Sequence, residues 1–298
     1  MPAKITGLVA ATPTPLHADG SLNLDAVEPM AALLARQGVA GVFVAGSTGE
    51  CHSLTVEERL ALTEAWAPAA KEHRLKFMVH VGHNCQLDAC RLAAHAAEHG
   101  VDVVSCTAPT YFKPPAVRQL VEFCTPIAAA AGKTPFYYYH IPMLTGVALS
   151  MPEFLRLGSP EMPNLAGMKF TYNDLMQLQE CLRLDDGKYD VLFGHDEMLL
   201  AALALGARGA VGTTYCFAAS IYLEVIDRFA AGDFEAARAA QARSVRMIRA
   251  FAEFGFLAAT KQAMTQLGVA CGPVRAPLPN MSDEQVNAFR ACFAEYQA

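Results

Sequence analysis

The sequence predicts an α/β fold of the (β/α)8 TIM-barrel class, followed by a C-terminal helical extension. Short apolar, β-branched segments alternate with helix-like segments, and eight of these candidate strands occur in succession. Their starts are roughly 20 to 36 residues apart, and one strand with its crossover helix and loops needs roughly 30 residues. Eight consecutive units of this kind are typical of a closed parallel barrel. The predicted strands cover residues 7–11, 41–45, 77–81, 101–106, 135–140, 165–170, 189–193 and 209–211.

The segments between the strands carry signals for the starts and ends of helices. Three hydroxyl residues are followed three positions later by Glu or Gln, which is the pattern of a capping box: Thr55 with Glu58, Ser150 with Glu153, and Ser282 with Gln285. Glycines stand where a helix should end before a strand begins, namely Gly38, Gly100 and Gly206.

After the eighth strand the alternation stops and only helical patterns remain. Residues 221–230 would complete the eighth unit, and residues 236–254, 257–267 and 283–296 would form extra helices. We therefore expect a catalytic barrel domain over residues 1–230. Residues 231–298 would form a helical extension packed on it, because no linker rich in Gly, Ser or Pro separates the two before residue 271.

Composition excludes several classes of protein. The chain has 298 residues, of which 53% are apolar and 17% are charged, so a disordered or collagen-like chain is excluded. The formal net charge of −6 disfavours a nucleic-acid partner. The nine cysteines are odd in number and include no C-x-x-C pair, so neither a zinc site nor a disulfide framework is supported.

The same cysteine usage favours reduced thiols and therefore a cytoplasmic location. Pro13 and Pro15 interrupt the short apolar run near the N-terminus, which makes it a poor signal peptide. The longest strongly apolar stretch, residues 198–207, is too short to cross a bilayer, so we expect no membrane partner.

Catalytic groups of such barrels lie at the C-terminal ends of the strands. Of the eight lysines, only Lys169 falls near the end of an apolar strand. Alternation places Leu165, Gly167, Lys169 and Thr171 on one face, and Gly167 would leave room for the lysine stem. A lysine in an apolar pocket loses hydration, which favours the neutral amine that attacks a ketone to form a Schiff base. The alternative is a lysine that reaches solvent or pairs with an acid.

Tyr139 is the candidate proton carrier on the fifth strand. Alternation sends Tyr137 and Tyr139 to one face and Tyr138 and His140 to the other. A tyrosine near an iminium could move protons during the reaction. The alternative is that these rings are ordinary core aromatics.

Three strand ends carry small or polar residues. Ser47 and Thr48 stand between glycines after the second strand, where backbone N–H groups could bind a carboxylate or phosphate, or could simply form a tight turn. Asp196 and Glu197 follow the seventh strand and could bind a polyhydroxylated ligand or begin an acidic helix. Thr213 follows the eighth strand. Metal binding by His195 with these acids, or by His80 and His83, lacks a complete ligand set, so we expect no metal.

These motifs together resemble the N-acetylneuraminate lyase and dihydrodipicolinate synthase family of lysine-dependent, pyruvate-handling aldolases. The resemblance covers almost the whole chain and is specific in combination. In chain order its motifs are Gly46-Ser-Thr-Gly-Glu50, Tyr138-Tyr-His-Ile-Pro142, Gly167-Met-Lys169, Gly194-His-Asp-Glu197 and Gly212-Thr-Thr-Tyr215.

The resemblance implies a barrel with a C-terminal helical extension, usually assembled as a homotetramer. It implies that Lys169 is the Schiff-base lysine, that Tyr139 carries protons, and that Ser47 and Thr48 form the carboxylate-binding and hydroxyl-relay pair. It also implies that Tyr111 is the aromatic residue often lent to a neighbouring subunit's site. No cofactor is expected, since the imine on Lys169 does the chemistry.

Within the family the chain is most similar to the sialic acid lyases. Dihydrodipicolinate synthases carry an arginine where this chain has Leu144, and a site without that guanidinium would bind a dicarboxylate poorly. Residues of the lyases that bind the sugar tail match this chain at the following positions: Thr171, Gly194, Asp196, Glu197 and Thr213. His195 and Cys216 depart from the lyase pattern.

The expected activity is therefore cleavage of a 2-oxo sugar acid, most simply N-acetylneuraminate, into N-acetylmannosamine and pyruvate. The alternatives on the same platform are an aldolase or dehydratase of 2-keto-3-deoxy sugar acids and a dihydrodipicolinate synthase-like condensation. A sugar-acid-binding regulator without turnover is the non-enzymatic alternative. The expected partners are small 2-oxo acids, pyruvate and further copies of the chain.

Overall fold

The computed structural model describes residues 4–296 and contains the predicted closed barrel. All eight strands are parallel, each pairs with the next in sequence, and β8 closes the ring by pairing with β1. The strands are Gly7–Ala11 (β1), Gly41–Val44 (β2), Lys76–His80 (β3), Val103–Cys106 (β4), Phe136–His140 (β5), Leu165–Phe170 (β6), Asp190–Phe193 (β7) and Gly209–Gly212 (β8). The outer residues 1–3 and 297–298 of the two expected domains lie outside the described part.

Helices connect successive strands and continue after β8. They are Val27–Arg36 (α1), Val56–Glu72 (α2), Gln86–Glu98 (α3), Val117–Ala130 (α4), Pro142–Thr145 (α5), Met151–Gly158 (α6), Leu175–Gly187 (α7), Leu199–Ala204 (α8), Ala219–Ala230 (α9), Phe234–Ala252 (α10), Phe256–Gln266 (α11) and Asp283–Ala294 (α12). Short 3-10 turns occur at Leu24–Ala26, Cys51–Ser53, Asp196–Met198 and Thr214–Cys216. Within residues 4–296 no helix is both long and apolar enough to span a membrane.

The local signals place most helix boundaries correctly. Thr55 and Ser282 form complete capping boxes, and the three expected helix-ending glycines all have positive φ. The Ser150 box is only half present, because its side chain accepts from the Glu153 N–H without the reciprocal bond from Glu153. The strand predictions differ by one or two residues at several ends; Ala45, for example, leaves β2 with a left-handed φ of 54°.

Alternation along the strands separates two apolar layers. One layer fills the barrel, and the other lies between the strands and the surrounding helices. Tyr137 and Tyr139 point into the barrel, whereas Tyr138 packs in the outer layer, as predicted. The inner layer consists of Ile5, Val9, Ala11, Phe43, Met78, Val103, Tyr137, Tyr139, Ile141, Ala166, Leu192 and Val211.

The prediction that Leu165 shares a face with Lys169 is wrong. The pairing of β5 with β6 shifts between Phe136 and Tyr137, so that Phe136 lies opposite Leu165 but Tyr137 lies opposite Gly167. This bulge gives β6 one extra residue, Ala166, and reverses the alternation before it. Leu165 therefore belongs to the outer layer.

Aromatic rings attach the C-terminal helices to the barrel. Phe251 of α10 stacks on Phe217, which follows β8, with ring centroids 4.9 Å apart. Phe289 and Phe293 of α12 pack edge-on against Phe251. The Gln241 side chain of α10 also donates to the main-chain carbonyl of Asp196 at 3.1 Å. The extension therefore shares its core with the loops at the C-terminal face of the barrel.

Gly167 lies where two neighbouring strands approach each other closely, a reason for glycine that the sequence did not reveal. A Cβ at Gly167 would lie 2.0 Å from the Asp190 carbonyl oxygen on the neighbouring strand β7. We expect Gly167→Ala to lower the free energy of unfolding by about 3 kcal/mol or more, since overpacking against backbone cannot be relieved by a rotamer change. Urea unfolding monitored by circular dichroism measures this loss, and a loss below about 1 kcal/mol would contradict the tight approach.

Candidate active site

Lys169 lies on β6 with its side chain inside the barrel mouth. The residue is only 4% exposed, and its Nζ lies 4.2 Å from the ring centroid of Tyr139 and 4.4 Å from that of Phe43. Among the described residues 4–296, no ion pair involves Lys169. The two alternatives, a lysine reaching solvent and a lysine paired with an acid, therefore do not describe it.

Tyr139 on β5 stands directly opposite Lys169 in the strand register. Its ring packs edge-on against Phe43 of β2 at 5.5 Å and against His80 of β3 at 5.7 Å. Its phenol oxygen lies 3.4 Å from the Ser47 hydroxyl. A primary amine from β6, a phenol from β5 and a hydroxyl from the loop after β2 therefore meet at one end of the barrel.

The loop after β2 presents Ser47 and Thr48 in a compact turn. The N–H of Glu50 donates to the Ser47 carbonyl, and the N–H of Cys51 donates to that of Gly46. A side chain at Gly46 would meet the Phe43 ring at 2.4 Å, so glycine lets the loop fold onto the ring that contacts Lys169. The Thr48 hydroxyl lies 2.6 Å from that of Thr213, which joins this loop to the end of β8.

Asp196 is buried beneath the mouth of the barrel. One of its carboxylate oxygens accepts hydrogen bonds from the N–H and the hydroxyl of Thr214, at 2.9 and 2.6 Å. A Cβ at Gly212 would lie 1.8 Å from the other oxygen, so the absence of a side chain there makes room for the carboxylate. Burial raises the pKa of Asp196 to about 6 even though the bonds from Thr214 oppose this shift.

Glu197 lies nearer to solvent than its neighbour Asp196. Its side chain is 40% exposed and its carboxylate is 3.5 Å from Nδ1 of His195. The bond from His195 lowers the pKa of Glu197. The pKa values of the two adjacent acids are therefore shifted in opposite directions, and Glu197 is the one whose carboxylate has an exposed surface.

Thr171 is the second residue after Lys169, and it is buried. Its hydroxyl has no hydrogen-bond partner among the described residues. A Cβ at Gly194 would lie 1.9 Å from this hydroxyl, which explains the small residue at the end of β7. Thr171 and Gly194, two of the predicted substrate-binding residues, therefore lie next to each other.

Tyr111 is not brought to the Lys169 site within the chain. It is 80% exposed, and its ring contacts the neighbouring Phe112, which is 85% exposed. Leu144 on α5 is also exposed and lines a cavity of about 490 Å³ together with Ser47 and Thr145. This cavity opens beside the loop after β2, and Lys169 is not among its lining residues.

The sequence did not predict that Phe43 and His80 pack against the Tyr139 ring. Phe43 could have been found, because alternation along β2 points it inward with its neighbours on the other strands. His80 is completely buried, and burial together with the Arg59 charge keeps its pKa well below the ordinary value. The Arg59 guanidinium donates to the carbonyls of His80 and Gly82, so a buried cation supports this end of β3.

Potential metal ligands do not converge on Lys169. Over residues 4–296, two groups have ligand atoms within 4.8 Å of one another: Glu64, His95 and His99, and His83, Cys85 and Asp88. His83 thus joins ligands that the sequence did not suggest. His80 and His195 belong to neither group.

Comparisons with known proteins agree with the motifs. The model of the dihydrodipicolinate synthetase family matches residues 4–295. The N-acetylneuraminate lyase of Gallus gallus is 38% identical over 292 residues, covering 97% of this chain and 95% of that protein. The solved structure of Proteus mirabilis N-acetylneuraminate lyase has a TM-score of 0.96 and 40% identity, with 99% of each chain covered.

A more distant solved structure has the same fold. It is a catalytic-lysine mutant of the sialic acid aldolase from Ruminococcus gnavus, with a TM-score of 0.91 and 28% identity. The match covers 98% of this chain and 96% of that one. Sequence and structure comparisons therefore agree over essentially the whole chain.

The raised pKa of Asp196 predicts a pH-dependent contribution to stability. Its folded pKa of about 6 exceeds the ordinary value of 3.8, so its contribution is complete at low pH and is lost as the pH rises through about 6. When the pH rises from about 5 to 7.5, the free energy of unfolding of the wild type should fall by about 1 kcal/mol more than that of Asp196→Asn, which has no ionising group at this position. Urea unfolding of both proteins at the two pH values measures this change. A difference between them that stays constant with pH would contradict the assignment.

Proposed function

Because the chain belongs to the dihydrodipicolinate synthetase family, we propose that it is a Schiff-base aldolase that cleaves N-acetylneuraminate into N-acetylmannosamine and pyruvate. The observation that carries the proposal is the buried Lys169 amine beside the Tyr139 ring, at the end of the barrel where such enzymes hold their catalytic groups. The relatives named N-acetylneuraminate lyase support the choice of substrate.

The reaction begins at the ketone of the 2-oxo acid. The neutral amine of Lys169 attacks C2, and the resulting carbinolamine takes up a proton from solvent and loses water to give a protonated imine. The substrate carboxylate is held by N–H and hydroxyl groups of Ser47 and Thr48, which fixes the orientation of the imine carbon. The compact turn after β2 supports this role, because it keeps both residues in place before substrate arrives.

Cleavage follows because the iminium accepts electrons. The C4 hydroxyl loses its proton, the C3–C4 bond breaks, and its electron pair moves into an enamine on Lys169, while C4 becomes the aldehyde of the released sugar. The Tyr139 phenol relays this proton: it accepts the proton from the C4 hydroxyl as it passes its own proton to the substrate carboxylate, and the 3.4 Å contact with Ser47 connects it to the carboxylate loop. Protonation of the enamine at C3 and hydrolysis of the imine release pyruvate.

The polyhydroxylated part of the substrate would meet the loops after β6, β7 and β8. Glu197 has an exposed carboxylate that can accept hydrogen bonds from sugar hydroxyls. Thr171 has a buried hydroxyl without a partner among the described residues, and Thr213 lies beside Thr48. Leu144, an apolar residue on the adjacent cavity wall, offers no guanidinium to a second carboxylate, which favours a sugar acid over a dicarboxylate.

The proposal extends to the assembly and surroundings of the enzyme. The exposed rings of Tyr111 and Phe112 fit a contact between subunits of a homotetramer in which Tyr111 completes a neighbouring site. The reaction needs no cofactor, since the imine on Lys169 itself withdraws the electrons. Nine free cysteines fit a cytoplasmic enzyme that works with reduced thiols.

Borohydride reduction in the presence of pyruvate should leave a stable adduct on Lys169. Lys169→Ala should form no adduct and show no turnover, because the attacking nitrogen is gone. Tyr139→Phe should still form the adduct while its kcat falls roughly 100- to 10,000-fold through loss of the proton carrier. Peptide mass spectrometry locates the adduct, and a pyruvate-release assay measures turnover. Wild-type protein without an adduct would refute the proposed chemistry.

Glu197→Gln should distinguish among substrates of different length. If the carboxylate binds the sugar tail, kcat/KM for N-acetylneuraminate should fall roughly tenfold or more, and that for 2-keto-3-deoxy acids with shorter tails should fall less. Glu57→Gln, which alters an exposed acid on α2, is the matched control and should leave both values unchanged. Equal losses on long and short substrates, or faster wild-type turnover of the short ones, would instead favour the 2-keto-3-deoxy aldolase alternative.

A further inference from the structure

A buried ion pair connects the C-terminal helices with the loop that carries Ser47 and Thr48. The Lys261 ammonium on α11 lies 2.6 Å from the carboxylate of Glu50, the last residue of the Gly46-Ser-Thr-Gly-Glu50 motif. Both side chains are only 1% exposed. Two unlike charges withdrawn from water in this way depend on each other, because removing one leaves the other uncompensated.

Each partner also bonds to the segment that follows α11. The other carboxylate oxygen of Glu50 accepts from the main-chain N–H of Arg275 at 2.7 Å, and Lys261 donates to the Pro273 carbonyl at 2.6 Å. The carboxylate is therefore held from two sides by residues outside the eight β/α units. These bonds add geometric precision to the attraction between the charges.

The position of Glu50 is transmitted to Ser47 and Thr48 through a stiff backbone. Glu50 has a left-handed conformation, with φ 54° and ψ 37°, and its N–H bonds to the Ser47 carbonyl. The Thr14 hydroxyl donates to the Gly49 carbonyl at 2.7 Å, which fixes the same turn from the segment after β1. A non-glycine residue retains such a conformation only where its surroundings impose it, and the ion pair with Lys261 is one of the contacts that surround Glu50.

We infer that Glu50 and Lys261 are positioning residues, through which the helical extension holds the substrate-carboxylate loop in its binding geometry. The inference rests on the proposed function, since it assigns a role to the site that this function requires. It also makes α11 part of the working enzyme rather than only part of its core.

Lys261→Met tests the inference, because it removes the charge and leaves Lys169 and Tyr139 untouched. Small displacements of positioned groups can lower a reaction rate by as much as roughly 100-fold. We therefore expect the pyruvate concentration that gives half-maximal adduct formation under borohydride to rise roughly tenfold or more. The adduct at saturation should still form on Lys169. For N-acetylneuraminate, KM should rise by a larger factor than kcat falls, because carboxylate binding is lost in ground and transition states alike. Lys261→Arg, which restores a cation, should recover much of the affinity.

Glu58→Gln is the matched control. It breaks the ion pair of Glu58 with Arg275, which joins α2 to the same segment after α11, but it does not touch Glu50. Glutamine also keeps the capping box of α2. The free energy of unfolding of this variant should fall, but the pyruvate concentration for half-maximal adduct formation should not change. The control therefore distinguishes a positioning role from general destabilisation.

The outcomes distinguish this inference from the proposed function. If wild type forms no pyruvate adduct, both are overturned. If wild type forms the adduct and Lys261→Met saturates at the same pyruvate concentration, only the positioning role is overturned. If Lys261→Met does not fold, Glu50→Gln provides the same measurement, since its amide oxygen can still accept from the Arg275 N–H.

Discussion

The burial of one primary amine against two aromatic rings is the constraint on which the barrel mouth depends. Phe43 and Tyr139 cover the Lys169 nitrogen at 4.4 and 4.2 Å, and no acid among residues 4–296 forms an ion pair with it. The same arrangement places the Tyr139 ring directly beside the amine. Because the rings come from β2 and β5 and the amine from β6, only a closed sheet can bring them together.

Small residues at the strand ends make room for polar side chains. Gly194 makes room for the Thr171 hydroxyl, and Gly212 makes room for the Asp196 carboxylate. The same spacing gives the two adjacent acids different surroundings. Asp196 is held below the surface by Thr214, whereas the carboxylate of Glu197 remains accessible. Asp196 and Glu197 look equivalent in the sequence, but in the structure Asp196 is a supporting residue and Glu197 is a candidate ligand for the sugar.

The extension after β8 is integrated with the chemistry rather than appended to the fold. Aromatic packing by Phe251 fixes α10 against the end of the barrel, and Gln241 reaches the main chain at Asp196. The pair of Lys261 with Glu50 reaches the loop after β2 on another side of the mouth. Two different loops of the proposed site are thus held by helices that the repeating β/α units do not require.

Features that depend on near neighbours along the chain could be predicted from local sequence patterns. The two-residue period of strands placed Lys169 and Tyr139 inside the barrel, and capping and glycine signals located most helix ends, because these features depend on a few consecutive residues. The composition of the strand ends also pointed to the loops after β2, β7 and β8.

Contacts between residues far apart in the chain could not be predicted in this way and are visible only in the folded protein. The bulge that moves Leu165 to the outer layer arises from pairing between two strands, and the need for glycine at 167 arises from the β7 backbone. The contact of Lys261 with Glu50 joins residues from opposite ends of the chain. No local pattern encodes such contacts, because their energy depends on charges and shapes that approach each other only when the barrel closes and the last helices pack on it.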